Sequence, residues 1–476
     1  MFFNKKLYRI FALLCLIGLM SNVSMVFATG SQPAKTTPIP TPTHPPAYSE
    51  PAQTDAVKDW PQAPPIYAES ALVMDANTGT ILYAKNIHNK KYPASITKIM
   101  TALIAIENSN LNERVVFSDH AIWGIERNSS HIGIRIGEIL SMKECLYGIL
   151  LSSANEVCLA VSEHVAGDVD SFVAMMNKKA TELGCTGTQF VNPNGLPDEN
   201  HYTTAADMAL ISQAAFKNKV FREITQTKSY KIGWTNKTGE DRWLGNHHKM
   251  LWDNSSHYYE SCVGGKTGYT DVALNTLVTY ATRDERDLIC VSLRTNGARV
   301  YYDTAQMLDY GFSNFQNITT VNTKKIDYSA YLMPFPALLV GCFSPQTQSD
   351  LLRDNSVTLP NESDASNVTS QDDFDADDAL INRTFFYNDY AVGSDMIHQP
   401  EGVKSVLSLA AKFATARPLP SQATTPIPTA SAATVFNELP SWKYPLMALL
   451  GLLLVLAIVK IGFAVNRSKR KKKRAK

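Results

Sequence analysis

The stretch "SALVMDANTGTILYAKN" (70–86) alternates apolar and polar positions on either side of Asp75-Ala76-Asn77-Thr78-Gly79. Two short strands joined by a turn-rich link predict a β-hairpin. "PASITKIMTALIAIEN" (93–108) changes period. Ile99, Leu103 and Ile106 recur at helical spacing, and Pro93 is tolerated near the start of a helix. Segments near 143–165, 168–184 and 203–217 carry the same helical pattern. "ALNTLVTYAT" and "DLICVSLR" read as strands joined by the polar "RDERD". Strands at both ends with helices between them predict an α/β (α+β) domain: one antiparallel sheet, its first and last strands brought together, flanked by helices.

The two ends of the chain differ from this middle. Residues 1–28 have Lys5, Lys6 and Arg9, an apolar run from Ile10 to Met20, and Val26-Phe27-Ala28 as a cleavage site. This pattern predicts a signal peptide cut after Ala28, with an uncleaved anchor as the competing reading. Cys15 follows Leu14 rather than a small residue, which argues against a lipoprotein site. Residues 443–465 contain an apolar stretch from Pro445 to Val465 broken only by Lys460, long enough for a transmembrane helix. The basic tail 466–476 directly behind it predicts a stop-transfer signal with a cytoplasmic tail, in preference to a nucleic-acid-binding arm. The chain between is expected in a single-pass arrangement at the cell membrane, outside the cytoplasm.

Within that exported part, residues 29–62 read as a disordered Pro/Thr-rich tether and 413–442 as a Pro/Ser/Thr-rich stalk. Residues 63–315 carry the mixed α/β pattern, and 316–412 are short, polar and β-leaning. The overall charge of +1 hides an imbalance. Without the basic tail and leader the exported part is acidic, which speaks against a nucleic-acid partner. Six cysteines remain beyond the leader, none in a C-x-x-C pair, and they read mostly as small buried hydrophobes. In "QDDFDADD", Asp373, Asp375 and Asp377 copy the start of a calcium loop. The sixth position is Asp378 instead of Gly and the twelfth is Thr384 instead of Glu, so a solvated loop is the better reading.

The chemistry lies in three short elements. "SITK" places Ser95 and Lys98 three residues apart, on one face of a helix. A buried, neutral Lys98 amine there can take the Ser95 proton. "SAN" offers the Ser153 hydroxyl and the Asn155 amide, able to shuttle a proton and to hold a carbonyl. K-T-G supplies a cation, a hydroxyl and a glycine along which a substrate strand can pass, so it belongs at a sheet edge. The tripeptide occurs twice. Lys237-Thr238-Gly239 sits in the polar "KIGWTNKTGEDRW", has no evident following strand and overlaps an N-x-T sequon at Asn236. Lys266-Thr267-Gly268 leads through Tyr269 into a strand. The second copy is therefore assigned to the site and the first to a loop. Each element alone is weak; the three in this order are specific.

In this order they resemble the serine D-alanyl-D-alanine carboxypeptidases, the low-molecular-mass penicillin-binding proteins. The resemblance covers roughly residues 65–312 and includes "YPASITKIMTALIAIE", "LLSSANEVCLAVSEHVAG", "FVNPNGLPDENHYTTAADMALIS", "GGKTGYT" and "LDYGF". It implies a penicillin-binding/β-lactamase-like transpeptidase fold followed by a small β-rich domain. By the same resemblance Ser95 is the acylated nucleophile, Lys98 its base and Ser153 the third catalytic group. Asn155, Lys266, Thr267, Gly268, Tyr269 and Arg299 would bind substrate, with the N–H groups of Ser95 and Tyr269 as an oxyanion hole. The implied partners are peptidoglycan stem peptides, with β-lactam antibiotics as inhibitors. No metal or cofactor is expected, since the chain has no H-E-x-x-H motif and no clustered His/Cys ligands.

Three other readings use overlapping parts. A class A β-lactamase would carry a deacylating Glu in E-x-x-L-N, whereas "ATELGCTGTQFVN" has Glu182 without that pattern. An endopeptidase acting on cross-links would use the same residues. A catalytically idle wall-binding protein would not need the complete motif set.

Overall fold

The hairpin forms where the alternation places it. β1 (Ser70–Asp75) and β2 (Ile81–Lys85) pair antiparallel, and Asp75 Oδ1 accepts from the Asn77 and Thr78 amides to close the turn. The structure, a computed structural model, describes residues 46–126, 128–319, 356–374 and 380–396. The predicted signal peptide, transmembrane helix, stalk and basic tail lie outside the described residues. Among those described, no helix is long and apolar enough to cross a membrane.

After the hairpin the order is α1 (Lys98–Asn108), β3 (Arg114–Val116), α2 (Asp119–Trp123), β4 (Ile139–Ser141), α3 (Met142–Leu150), α4 (Asn155–Ala166), α5 (Val169–Glu182), α6 (Ala205–Lys217) and α7 (Lys219–Gln226). Then come β5 (Ser229–Ile232), β6 (Arg242–Gly245), β7 (Cys262–Thr270), β8 (Leu274–Arg283), β9 (Arg286–Thr295) and α8 (Arg299–Asn314). Short strands β10 (Phe315–Thr319), β11 (Ser356–Pro360), β12 (Thr369–Phe374), β13 (Leu380–Tyr387) and β14 (Tyr390–Met396) follow. The main sheet is antiparallel in the order β2-β1-β9-β8-β7. First and last strands meet through β1 and β9, Leu72 opposite Val291.

Period-two alternation distributes β1 and β9 between two cores. Leu72, Met74, Ile289, Val291 and Leu293 face the core shared with α1 and α3–α7. Ala71, Val73, Leu288 and Cys290 face a second core with Met307 and Leu308 of α8. Because both faces are covered, every residue of β1 is buried. Helix starts follow local chemistry. Ser141 and Glu144 form a capping box on α3; Asp168 caps α5 and Thr204 caps α6.

Three expectations change. The helical pattern over 143–165 is interrupted between Leu150 and Asn155, where Ser153 takes φ +59°. The tether ends earlier than expected: from Pro46 onward the chain packs on the domain. Trp60 donates from Nε1 to the Leu82 carbonyl (2.9 Å) and lies against the rings of Phe315 (5.0 Å) and Tyr390 (4.9 Å). The Pro-rich composition gave no sign of that aromatic anchor, whose partners are hundreds of residues away. The acidic stretch is likewise not all loop, since Asp372 and Asp373 belong to β12 and pair with β13.

Four of the five described cysteines beyond the leader are buried, Cys185 is half-buried, and all five are free thiols. The small strands are fastened to the first hairpin. Thr78 and Thr358 hydroxyls share a 2.7 Å hydrogen bond, and the Tyr390 hydroxyl donates to the Ile81 carbonyl. Trp60→Ala is expected to cost about 3–5 kcal/mol of unfolding free energy in urea denaturation, the range for truncating a buried large aromatic. A loss below about 1 kcal/mol would show that residues 46–62 are not anchored this way.

Candidate active site

Ser95 sits in a 3₁₀ turn, Ala94–Thr97, that runs straight into α1. Two tight contacts hold the turn. Ala94 is in the left-handed region (φ +51°), a conformation an alanine adopts only where its surroundings impose it. Gly195 lies against it, so close that a Cβ there would fall 1.9 Å from the Ala94 carbonyl oxygen. On the other side Thr276 of β8 donates to the Pro93 carbonyl (2.8 Å). His201 braces the turn from below. Its Nδ1 accepts from the Val191 amide, which leaves Nε2–H to donate to Thr97 Oγ1 at 2.9 Å. Burial holds this imidazole neutral, its pKa pulled down to about 4.

Lys98 is fully buried and its ammonium has three acceptors: Ser95 Oγ at 3.0 Å, Asn155 Oδ1 at 2.7 Å and the Asn194 carbonyl at 2.5 Å. Burial pulls its pKa down to about 8, against the smaller opposing pull of Cys158 and Glu156. The break between α3 and α4 aims Ser153 at the same place. Its hydroxyl accepts from Lys266 Nζ (3.2 Å), which also donates to the Thr267 carbonyl (2.8 Å). Lys266 is buried as well, and burial followed by the Lys98 charge pushes its pKa well below the usual ammonium range. Two cations in one desolvated site each favour the other's neutral form.

Lys266-Thr267-Gly268 lies within β7, the edge strand of the sheet. Gly268 is required by proximity, since a Cβ there would sit 2.8 Å from the Ser95 nitrogen and 2.4 Å from Thr276 Oγ1. The strand therefore passes Ser95 with no side chain between. Ser95, Ser153, Asn155, Thr267, Gly268 and Tyr269 thus line one cleft of about 860 Å³, with Lys98 and Lys266 buried behind it and hydrogen-bonded to Ser95 and Ser153.

Arg299 is the exception. It does not line this cleft; its guanidinium lies over the Tyr67 ring, 4.4 Å from the centroid, beside a separate cavity. As the first residue of α8 it follows Ala298, which does line the cleft, so one step of helix rotation sends its side chain to the far side. The K-T-G at 237–239 also departs from expectation. A strand does follow it, β6, and the tripeptide lies in the connection of the hairpin β5–β6, with none of its residues lining the cleft.

Several cleft residues had no sequence signal. Glu126, Asn128, Ser129 and Ser130 form one rim, and Leu196, Pro197, His247, Lys249 and Tyr301 line other walls. Burial and the two lysines keep His247 neutral, its pKa lowered to about 4. Asn194 was legible only as part of a turn-rich "NPNG", closed here by Gly195 N donating to Asn192 Oδ1.

The family described as peptidase S11, D-alanyl-D-alanine carboxypeptidase, matches residues 57–297. The D-alanyl-D-alanine carboxypeptidase DacF of Bacillus subtilis is 33 % identical over 255 residues, which is 52 % of this chain and 63 % of that protein. The D-alanyl-D-alanine carboxypeptidase DacB2 of Mycobacterium tuberculosis is 33 % identical over 270 residues, 56 % of this chain and 87 % of that one. The crystal structure of the Streptomyces K15 DD-transpeptidase superposes with a TM-score of 0.50 at 30 % identity, covering 53 % of this chain and all of that one. The match spans less than two thirds of the Bacillus relative.

The geometry of the turn can be tested with two glycines of similar φ. Gly79 (φ +75°) has open space where a Cβ would go, whereas Gly195 (φ +87°) has the Ala94 carbonyl. Gly79→Ala is expected to cost about 1 kcal/mol and Gly195→Ala clearly more, measured as urea midpoints. Equal costs would refute the close approach behind Ser95.

Proposed function

The chain belongs to the D-alanyl-D-alanine carboxypeptidase family, peptidase family S11, and from that membership we propose that it is a serine-type D-Ala-D-Ala carboxypeptidase acting on peptidoglycan stem pentapeptides. The observation that carries the proposal is the Lys98 Nζ to Ser95 Oγ contact of 3.0 Å, made by a buried amine whose pKa is brought near neutrality. Ser95 Oγ attacks the carbonyl of the penultimate D-Ala while neutral Lys98 accepts its proton. The amide C–N bond breaks, and the terminal D-Ala leaves with a proton passed through Ser153. Water then hydrolyses the ester and restores Ser95.

The N–H groups of Ser95 and Tyr269 hold the oxyanion, a contribution of about 3–4 kcal/mol per donor where it has been measured. Asn155 and the edge of β7 align the peptide. The terminal carboxylate binds at Lys266 and Thr267, and its negative charge draws Lys266 back to the ammonium form. A β-lactam acylates Ser95 by the same attack. The leader exports the enzyme and the apolar segment 443–465 anchors it at the membrane, with the tail 466–476 cytoplasmic.

A second fate of the acyl-enzyme has one observation in its favour: the similar Streptomyces K15 structure is titled a DD-transpeptidase. Transfer to an added amine in place of water would reveal it.

Incubation with a D-Ala-D-Ala peptide and with a labelled penicillin tests the main reading. The wild type should release D-Ala and become labelled, and Ser95→Ala should do neither; labelling without release would sink the carboxypeptidase assignment. Loss of both in Lys237→Ala but not in Lys266→Ala would overturn the choice of K-T-G. The pH dependence is a separate check. Since neutral Lys98 is the reactive form, acylation should rise about tenfold per pH unit below 8 and level off above it. A rate that falls as pH rises toward 8 would exclude Lys98 as the base.

A further inference from the structure

The K-T-G at 237–239 lines no part of the cleft, yet its hairpin is hydrogen-bonded to the segment that carries one cleft rim. Glu126 and the segment 128–139 border the cleft, with Glu126, Asn128, Ser129 and Ser130 in its lining. The segment turns at two glycines in the left-handed region, Gly133 (φ +74°) and Gly137 (φ +71°). Gly137 and Glu138 pair with the Phe117 backbone, and two further sets of contacts hold the segment from either side.

On the inner side Glu156 (2 % exposed) follows Asn155 at the start of α4. Its Oε1 accepts from the Ile132 amide at 2.7 Å, and the Asn155 amide donates to the Ser130 carbonyl at 2.8 Å. On the outer side stands Glu138 (0 % exposed). It accepts from the Arg135 amide (2.9 Å), from Thr235 Oγ1 (3.0 Å) and from Arg242 Nη2 (3.1 Å). Thr235 and Arg242 belong to the β5–β6 hairpin. Asn236, next in line, joins the segment from both directions. Its Oδ1 accepts from the Ile139 amide (2.9 Å) and its Nδ2 donates to the Gly137 carbonyl (2.8 Å). Arg135 Nη1 completes the connection by donating to the Lys237 carbonyl (3.0 Å).

We propose that the β5–β6 hairpin is a strut: Thr235 and Arg242, acting through Glu138, and Asn236, acting through the backbone of Gly137 and Ile139, position the cleft rim Asn128–Ile132 for the peptide substrate. None of the three lines the cleft. They are positioning residues, and the side chain of Lys237 is incidental to them. The inference rests on the carboxypeptidase reading for its substrate. Ser95, Lys98 and Lys266 are held by other elements, so loosening the rim raises the cost of ordering it on binding and leaves the bond-breaking steps alone. The strut therefore acts on KM and not on kcat.

The test uses the full chain. Asn236→Ala and Thr235→Val leave the buried Glu138–Arg242 pair in place. The double variant Glu138→Gln/Arg242→Met removes both charges together, so that neither is left buried alone. Each single variant should raise KM for the D-Ala-D-Ala peptide by about three- to tenfold, the loss of one or two net hydrogen bonds, with kcat changed by less than about twofold. Backbone amide exchange should quicken at Ser129–Ile132 and at Asn155, whose amide bonds the Ser130 carbonyl, and stay unchanged in the body of α4, Leu159–Ala166. Unchanged KM with unchanged exchange at the rim overturns the proposal. So does a fall in kcat at constant KM. Should the wild-type protein release no D-Ala at all, the carboxypeptidase reading fails first. The exchange at 129–132 then decides the strut by itself.

Discussion

The buried ammonium of Lys98 is the contact on which the site depends. Its three hydrogen bonds join three separate pieces of chain: the turn that carries Ser95, the start of α4 at Asn155 and the loop at Asn194. A lysine in a desolvated position is stable only if its protons are all taken, and here they are. The same burial that demands these partners also lowers its pKa toward neutrality. Structural need and chemical use thus have one cause. Lys266 repeats the arrangement, a second buried lysine with its amine on the Ser153 hydroxyl and the Thr267 carbonyl.

The surrounding fold can be understood as what it takes to bring those pieces together without filling the space between them. Gly195 and Gly268 sit where the chain approaches Ser95 too closely for any Cβ. Ala94 and Ser153 are held in left-handed conformations that neither residue favours. Such local cost is tolerated where the rest of the structure over-determines it. Here the two cores on either face of the sheet do so, and Trp60 ties the second of them to the first hairpin and the small strands.

Much of this was legible in the chain. The hairpin, the helices and the antiparallel sheet follow from periodicity, because burial on a sheet face or a helix face must repeat at 2 or 3.6 residues. The three motifs named seven residues that do converge, and the family resemblance added Tyr269 to them. What failed had identifiable reasons. The helical pattern over 143–165 continues through Ser153, since the residues are apolar enough for a helix; in the structure Ser153 is left-handed and the Asn155 amide turns to the Ser130 carbonyl, a partner outside the segment. Arg299 was placed by its neighbourhood in sequence, but one helical step separates a side chain in the cleft from one over Tyr67. The tether looked unstructured because its anchor, Trp60, binds partners far along the chain.

The two K-T-G tripeptides mark the boundary between the two kinds of information. By itself the sequence determined that the copy at 266–268 precedes a strand and stands third behind "SITK" and "SAN", because order and period are properties of the chain. It also determined the chemistry available, a hydroxyl, two amines and an amide. Only the tertiary structure decided that Lys98 and Lys266 lie buried together, and that Asn194, His247 and the rim at 128–130 complete the cleft. It decided as well that the hairpin around the copy at 237–239 is hydrogen-bonded to the segment that carries that rim. These outcomes depend on which distant segments share one desolvated space, and no local pattern records that.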